Sequence, residues 1–315
     1  MSSTNLVNFA LRQNKSIERA IAFDCLAAVH RSLSLENAVY IGFGSVWFVD
    51  FVLAHRLLGI ETMISIESDA VTFKRALFNR PYRTLEILEG SSSEVVPQLL
   101  DNPELAGRPW VLWLDYDKGI NEDRRDELAG LIPALPEDSV LMTTFNAHAN
   151  TYGAPTHRPR RIRELFGIAA PETMSLEESK DKNRFMQILG HTVEDYLASQ
   201  AVDTGRVGGY VPTIRLLYVD NAPMVTIGGT LPAVTNEGEV RRMVAQSEWL
   251  GRSDEVIAAP PLTGKEILAL QSKLPTKAPV TREDVLAMGF DLEEEQLHSF
   301  VSHYLRYPQY AQIAH

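Results

Sequence analysis

The sequence predicts an α/β protein built on a doubly wound parallel sheet. Short apolar runs alternate with amphipathic segments through the first 150 residues, and two further apolar runs flank a short polar turn near residue 220. After residue 235 the chain carries helix-capping signals instead. Strands separated by helices require parallel pairing with right-handed crossovers, so the first part of the chain predicts a sheet with helices on both faces.

The chain begins with a predicted helix from residue 5 to about 33. Its apolar residues recur every three or four positions, which is the period of an amphipathic helix; they are Ile17, Ala20, Ile21, Phe23, Leu26 and Val29. We expect this N-terminal segment, residues 1–34, to pack against the sheet.

Five strand candidates follow, and helical patterns separate them. The strands are AVYIGF (38–43), TMISIE (62–67), TLEIL (84–88), WVLWLD (110–115) and SVLMTTF (139–145). Helices are predicted near 46–58 and 69–78, in SSSEVVPQLL (91–100) and in EDRRDELAGLI (122–132).

A mixed helical stretch over 158–200 leads to TIRLLYVDNAPMVTIGGT (213–230), which predicts a β-hairpin. Five parallel strands followed by an antiparallel hairpin resemble the sheet of Rossmann-like methyltransferases. A redox Rossmann fold ends instead in a sixth parallel strand. We therefore expect a Rossmann-like domain over residues 1–234.

Residues 235–315 predict a helical appendage without strands. Thr263 with Glu266, Thr281 with Asp284, and Asp291 with Glu294 have the spacing of N-cap and N3 residues. The segment ends in the aromatic string HYLRYPQY (303–310). It would cover the core domain, or dock a second copy or another protein partner, or select substrate.

Composition narrows the classes of function. A formal net charge of −11 argues against nonspecific coating of nucleic acid, and a single cysteine, Cys25, suits a reducing compartment. The N-terminus lacks a continuous apolar signal segment, and no window has the length of a membrane span. We expect a cytoplasmic protein with no membrane segment.

The stretch YIGFGSVW (40–47) predicts a cofactor-binding loop after the first strand, with a purely structural tight turn as the alternative. Gly42 and Gly44, followed by Ser45, let a ligand approach the backbone closely at the start of a helix. The third glycine of the dinucleotide pattern is replaced by Trp47. A pyrophosphate-binding loop is therefore disfavoured.

The second strand ends in Glu67, followed by Ser68. A carboxylate here can accept hydrogen bonds from both ribose hydroxyls of an adenosine ligand, so we expect both residues in the cofactor site. The alternative is that Glu67 only caps the next helix.

Two motifs carry a family resemblance. EGSSSEVVPQLL (89–100) follows the third strand and WLDYDKGI (113–120) closes the fourth, with matching residues Gly90, Glu94, Pro97, Asp115, Asp117 and Lys118. The pair resembles the small-molecule O-methyltransferases related to the catechol and caffeoyl-CoA enzymes, over residues 38–150 plus the hairpin. The resemblance implies S-adenosylmethionine as cofactor, bound in part by Gly90, Ser91, Ser92 and Asp115.

The chain departs from that family at two points. Ser91 stands where the family has an acidic residue facing adenine, and Thr143-Thr144-Phe145-Asn146 stands where metal-dependent members have an Asp-Asn pair. A hard cation requires several oxygen ligands, so we expect no bound metal.

Two residues are candidate catalysts. Asp115 would bind the methionine end of the cofactor, act as general base toward the substrate, or cap the helix after residue 121. His148 follows the fifth strand, where a substrate would lie, and a histidine can serve as a base near neutrality. Its alternative is a merely exposed loop side chain.

These patterns predict an S-adenosylmethionine-dependent methyltransferase, O-directed, with a small-molecule acceptor. Methylation of nucleic-acid bases is disfavoured because LDYDKG is not an Asx-Pro-Pro-aromatic loop and Cys25 lies in the N-terminal helix. One alternative is a catalytically silent scaffold that acts through its helical tail. An NAD-dependent oxidoreductase is the other, disfavoured by Trp47 and the hairpin.

Overall fold

The structure, a computed structural model, describes residues 12–33 and 35–308. Its first helix, α1, spans Gln13–Leu33 and packs against the sheet as predicted. The predicted start of that helix, residues 5–11, lies outside the described residues, as do residues 309–310 of the C-terminal aromatic string.

An eight-stranded sheet has the order β3-β2-β1-β4-β5-β7-β6-β8. The first five strands are parallel, and β7 inserts antiparallel between β5 and β6. This confirms the predicted parallel strands with a terminal hairpin. In chain order, β1 to β8 span Val39–Gly42, Thr62–Glu67, Leu85–Glu89, Trp110–Asp115, Ser139–Asn146, Val211–Val219, Pro223–Leu231 and Arg252–Ile257.

Helices fill the crossovers and the C-terminal region. Those between the strands are α2 Val49–Leu58, α3 Ala70–Asn79, α4 Ser92–Leu100, α5 Glu122–Ala134, α6 Arg158–Phe166, α7 Leu176–Lys180 and α8 Lys182–Asp203. The last four are α9 Glu237–Val244, α10 Gly264–Gln271, α11 Arg282–Ala287 and α12 Glu294–His303.

The prediction that strands stop at residue 235 is wrong. Strand β8, Arg252–Ile257, adds to the edge of the sheet and pairs parallel with β6. Its sequence RSDEVI is largely polar and exposed, so it lacks the apolar run by which the other strands were identified. An edge strand can carry such residues because solvent lies beside it.

The capping predictions in the C-terminal region are confirmed in two cases of three. Thr263 and Thr281 each form a capping box at the start of α10 and α11. The third is wrong, because α12 is capped by Glu293, while Asp291 forms an ion pair with Arg282.

Two hydrophobic cores lie on the two faces of the sheet. Helices α4, α5, α6 and α8 cover one face. Helices α1 and α2 cover the other, and residues of the C-terminal helices, such as Leu270 and Phe300, belong to the same cluster as Ile17 of α1. The C-terminal helices thus share the hydrophobic core that holds α1 on this face of the sheet. Within the part of the chain that the structure describes, no helix is both long and apolar enough to cross a membrane.

Candidate functional site

A cavity of about 920 Å³ opens at the carboxyl ends of the parallel strands. It lies where the strand order reverses between β1 and β4, which is the usual ligand crevice of an open α/β sheet. The β1–α2 loop, the ends of β2, β3 and β4, the hairpin turn and α1 all contribute to its wall. The predicted site residues that line it are Gly44, Ser45, Glu67, Ser68, Gly90, Ser91, Ser92 and Asp115.

The loop after β1 depends on one glycine more than on the other. A Cβ on Gly44 would lie 2.4 Å from the ring of Phe48, and the Gly44 amide donates to Ser65 Oγ at 3.0 Å. Ser45 and Phe48 adopt left-handed backbone angles, with φ of 49° and 50°, so the chain turns sharply before α2. The loop is therefore a tight turn whose backbone lies open to the cavity.

Gly42, predicted to bind cofactor, is not among the lining residues. A Cβ there would lie 2.9 Å from the backbone oxygen of Trp113, so glycine is needed for packing between β1 and β4. Trp47, where the dinucleotide pattern has glycine, is 46% exposed and lines the cavity. It does not occupy the tight helix–strand contact that the third glycine normally permits.

Glu67 lies at the cavity wall, half-buried at the end of β2. One carboxylate oxygen accepts a hydrogen bond from the Asp69 amide at 2.9 Å, while Asp69 itself caps α3 through the Thr72 amide at 2.8 Å. Burial raises the pKa of Glu67, and the backbone hydrogen bonds only partly offset this. Since Asp69 supplies the cap, Glu67 keeps acceptor capacity for a ligand.

The segment after β3 is shaped by a glycine and a capping box. The Gly90 amide donates to the backbone oxygen of Glu67 at 3.0 Å, which joins the ends of β2 and β3. Ser91 uses its hydroxyl and amide to contact Glu94 at 2.7 and 3.0 Å, and these bonds lower the pKa of Glu94. The Ser91 hydroxyl is thus already engaged, whereas Ser92 Oγ is 3.5 Å from Tyr116 Oη inside the wall.

Tyr116 faces the cavity, a point that strand alternation could not decide. Its hydroxyl donates to Glu127 at 2.8 Å, and its ring contacts Phe43 edge-on at 5.6 Å between centroids. The Arg124 guanidinium lies over the same ring at 5.0 Å. Burial raises the pKa of Tyr116 above its ordinary range, so this phenol is a hydrogen-bonding wall and not a base.

Asp115 forms an ion pair with a residue that sequence reasoning missed. Lys15 of α1, whose side chain is 4% exposed, places Nζ 2.9 Å from Asp115 Oδ2 and 3.3 Å from Glu18 Oε2. It also lies over the rings of Trp113 and Tyr218. Burial alone would lower the pKa of Lys15, but Asp115 and Glu18 outweigh it and raise that pKa. The lysine is therefore a fixed cation beside Asp115.

A chain of hydrogen bonds continues from Glu18 into the sheet. Thr226 donates to Glu18 at 2.6 Å and contacts Thr144 at 2.8 Å, and Trp113 Nε1 donates to Thr144 at 3.0 Å. Burial raises the pKa of Glu18, with Lys15 and Thr226 opposing. Thr144 belongs to the segment 143–146 that stands where metal-dependent members have an Asp-Asn pair, and it is thus a buried structural residue.

A second ion pair also connects α1 to the loop side of the cavity. Arg19 binds Asp50 of α2 through Nε, and both residues line the cavity. The available sequence signal was KSIER, in which Lys15, Glu18 and Arg19 fall at the same helical spacing as the apolar residues that pack on the sheet.

His148, a predicted catalyst, does not line the cavity. It is exposed, and its Nδ1 accepts from the Asn150 amide at 3.3 Å, which caps a 3-10 helix over Ala149–Tyr152. Its amide is held by Asn146 Oδ1 at 2.8 Å. His148 therefore serves as the cap of this short helix and lies outside the group of predicted residues that line the cavity.

The lining favours a cationic ligand. Seven of its residues are acidic and five are basic, an excess that disfavours a pyrophosphate group. Among residues 12–33 and 35–308, no cluster of three or more His, Cys, Asp or Glu side chains could hold a metal ion.

A family described as "Putative O-methyltransferase" matches residues 7–315 of the chain. Comparison with curated proteins gave no match. The fold is similar to that of the O-methyltransferase TomG from Streptomyces achromogenes, in complex with SAM (13% identity, 69% of this chain and 87% of that one, TM-score 0.37). It is also similar to Trm1 from Pyrococcus horikoshii with S-adenosyl-L-methionine (10% identity, 71% and 57%, TM-score 0.41).

Proposed function

Since the chain belongs to this O-methyltransferase family, we propose that it transfers the methyl group of S-adenosylmethionine to an oxygen of a small-molecule acceptor. The observation that carries the proposal is the cavity at the switch point of the sheet, where Glu67, the Gly44 loop and Asp115 converge. The excess of acidic lining residues suits the positive charge of a sulfonium.

The residues present fit an adenosyl ligand. Glu67 offers carboxylate acceptor capacity to the ribose hydroxyls. The Gly90–Ser92 segment and the Tyr116 ring form the cavity wall beside Glu67, where the adenine base would pack. Gly44 and Ser45 leave the backbone open to close approach.

The bound cofactor supplies an electrophilic methyl group, so the protein has to align an acceptor oxygen with it and keep water out. Asp115 has three candidate roles, and its geometry favours a contact with the cofactor. One of its oxygens is taken by Lys15, and the side chain remains 26% exposed toward the cavity. We assign it to cofactor binding and not to the removal of a proton.

Polar side chains line the cavity beyond Asp115. They are Asp117, Lys118, Asn146 and Asn221, contributed by the β4–α5 loop, the end of β5 and the hairpin turn. Such a lining suits a small acceptor with several hydrogen-bonding groups. The same region would hold the acceptor whichever of its atoms is methylated.

The scaffold alternative finds no support in the family assignment. The described part of the C-terminal region, residues 235–308, contributes side chains to the core that holds α1, so we propose that it stabilises the wall of the cavity. Its role in docking a second copy or another protein stays a prediction.

A methyl-transfer assay tests the proposal. The purified protein is incubated with methyl-labelled S-adenosylmethionine and a panel of alcohols, phenols, carboxylates, thiols and amines, alongside Glu67→Gln as the matched variant. We expect label in one class of oxygen acceptor and much slower transfer by the variant. Label confined to thiols or amines would refute the oxygen assignment, and absence of transfer to every class would refute the enzyme.

A further inference from the structure

Helix α1 forms one wall of the cavity through charged residues one turn apart. Lys15 and Arg19 both line it, although both are buried from bulk solvent. The helix is held there by the hairpin, because Asn14 donates to the backbone oxygen of Val219 at 2.7 Å. Burial raises the pKa of the neighbouring Asp220 carboxylate, and the backbone amides at the first turn of α1 act against this rise. The charges of α1 are therefore fixed in place relative to the strand ends.

Arg19 has unused donors. Its side chain is 6% exposed, and its Nε is bound to Asp50. Within the described residues, its two terminal nitrogens make no hydrogen bond to protein. Neither nitrogen is fully buried, so both remain accessible to a ligand in the cavity. An arginine fixed through Nε presents a planar pair of N–H groups, the geometry that binds a carboxylate through two parallel hydrogen bonds.

Asp115 offers the opposite charge in the same cavity. Lys15 holds Oδ2 at 2.9 Å, and no hydrogen bond of the described residues goes to Oδ1. Asp115 lies at the end of β4, and Asp50 at the start of α2 packs beside the Gly44 loop. A free guanidinium edge and a free carboxylate oxygen thus face one space, each backed by a partner of opposite charge.

We propose that this pair recognises the zwitterionic amino-acid end of the cofactor, with Arg19 binding its carboxylate and Asp115 its ammonium group. The assignment rests on the proposed function, since it concerns the same adenosyl ligand. Asp50 and Lys15 act as positioning residues that hold the two binding groups. Removing this subsite leaves the adenosine part of the ligand with all its contacts to Glu67 and Tyr116.

Two ligands separate this subsite from the rest of the cavity. S-adenosylhomocysteine carries the amino-acid end, whereas 5′-methylthioadenosine has the same adenosine and thioether without it. Calorimetric titration of the wild type with both should give much tighter binding of S-adenosylhomocysteine. In Arg19→Gln/Asp50→Asn, which removes both charges together, we expect its affinity to fall about 10- to 100-fold. The affinity for methylthioadenosine should remain unchanged.

A second variant and a control keep the test decisive. Arg19→Lys keeps a cation beside Asp50 but loses the planar fork, so it should also weaken S-adenosylhomocysteine selectively. Glu67→Gln should weaken both ligands by the same factor. Equal losses for the two ligands in both Arg19 variants, or no loss, would overturn the amino-acid subsite and reduce Arg19 to a structural ion pair. A wild type that binds neither ligand would instead refute the proposed cofactor.

Discussion

Lys15 is the residue whose replacement should lower the free energy of unfolding most. Replacement by methionine keeps the length of the side chain but removes the ion-pair partner of the fully buried Glu18, which keeps the Thr226 hydrogen bond and only the weaker electrostatic attraction of Arg19. A buried carboxylate without a partner either stays charged at high cost or takes up a proton. Protonation is the cheaper outcome, and it sets an upper limit on the loss.

That limit can be worked out from the ordinary carboxyl pKa. Holding a proton on Glu18 costs about 1.4 kcal/mol for each pH unit above about 4.3, the pKa in the unfolded chain. The free energy of unfolding of Lys15→Met should therefore fall below wild type by up to about 3.7 kcal/mol at pH 7, but by no more than about 1 kcal/mol at pH 5. The sign follows from the raised folded-state pKa of a protonated Glu18, because stability is then lost as pH rises. For 315 residues the pH 7 loss is roughly 5 °C in Tm.

The assay is reversible chemical denaturation at both pH values. The double variant Lys15→Met/Glu18→Gln removes both charges and should recover most of the loss, because neutral replacements of a buried pair are often tolerated. Lys265→Met, on the exposed face of α10, serves as control and should change stability by less than about 0.5 kcal/mol. The same deficit at both pH values, or a double variant as unstable as the single, would refute the reasoning.

Three further outcomes are expected. Gly44→Ala should lower the free energy of unfolding by about 1–3 kcal/mol, because its Cβ meets the Phe48 ring. Gly130→Ala in α5 has open space around the added Cβ and should raise that free energy by about 0.5–1 kcal/mol. Equal free energies of unfolding for the two variants, measured by chemical denaturation, would contradict this. Glu67→Gln should weaken S-adenosylhomocysteine about 10- to 100-fold by calorimetry, and unchanged affinity would remove it from the site. Trp47→Phe should lose most of the ligand-induced change in tryptophan fluorescence, and an undiminished signal would place the ligand elsewhere.

The positions of the parallel strands along the chain could be predicted because these strands are short, mainly apolar runs, as in WVLWLD. Strand β8 could not, because its residues at the sheet edge are polar and exposed. The hairpin was visible through its polar turn. Local signals therefore sufficed wherever burial dictated the composition.

The site divides in the same way. Glu67 and Asp115 follow apolar strands, so the end of each strand placed them at the cavity from sequence alone. The partners of Asp115 and Asp50 lie on α1, far away in the chain, and only the packing of that helix brings Lys15 and Arg19 to the cavity. His148 has the residue type of a base, but its role as a helix cap depends on a local turn that composition does not reveal.

The most direct test of the central claim is a calorimetric titration of the wild-type protein with S-adenosylmethionine, with NAD as the comparison ligand. The two share an adenosine, but NAD adds an anionic pyrophosphate that the acidic lining and the Trp47 loop disfavour. We predict saturable binding of one S-adenosylmethionine per chain and no measurable binding of NAD. Binding of NAD alone, or of neither ligand, would contradict the assignment of this cavity as the cofactor site of an O-methyltransferase.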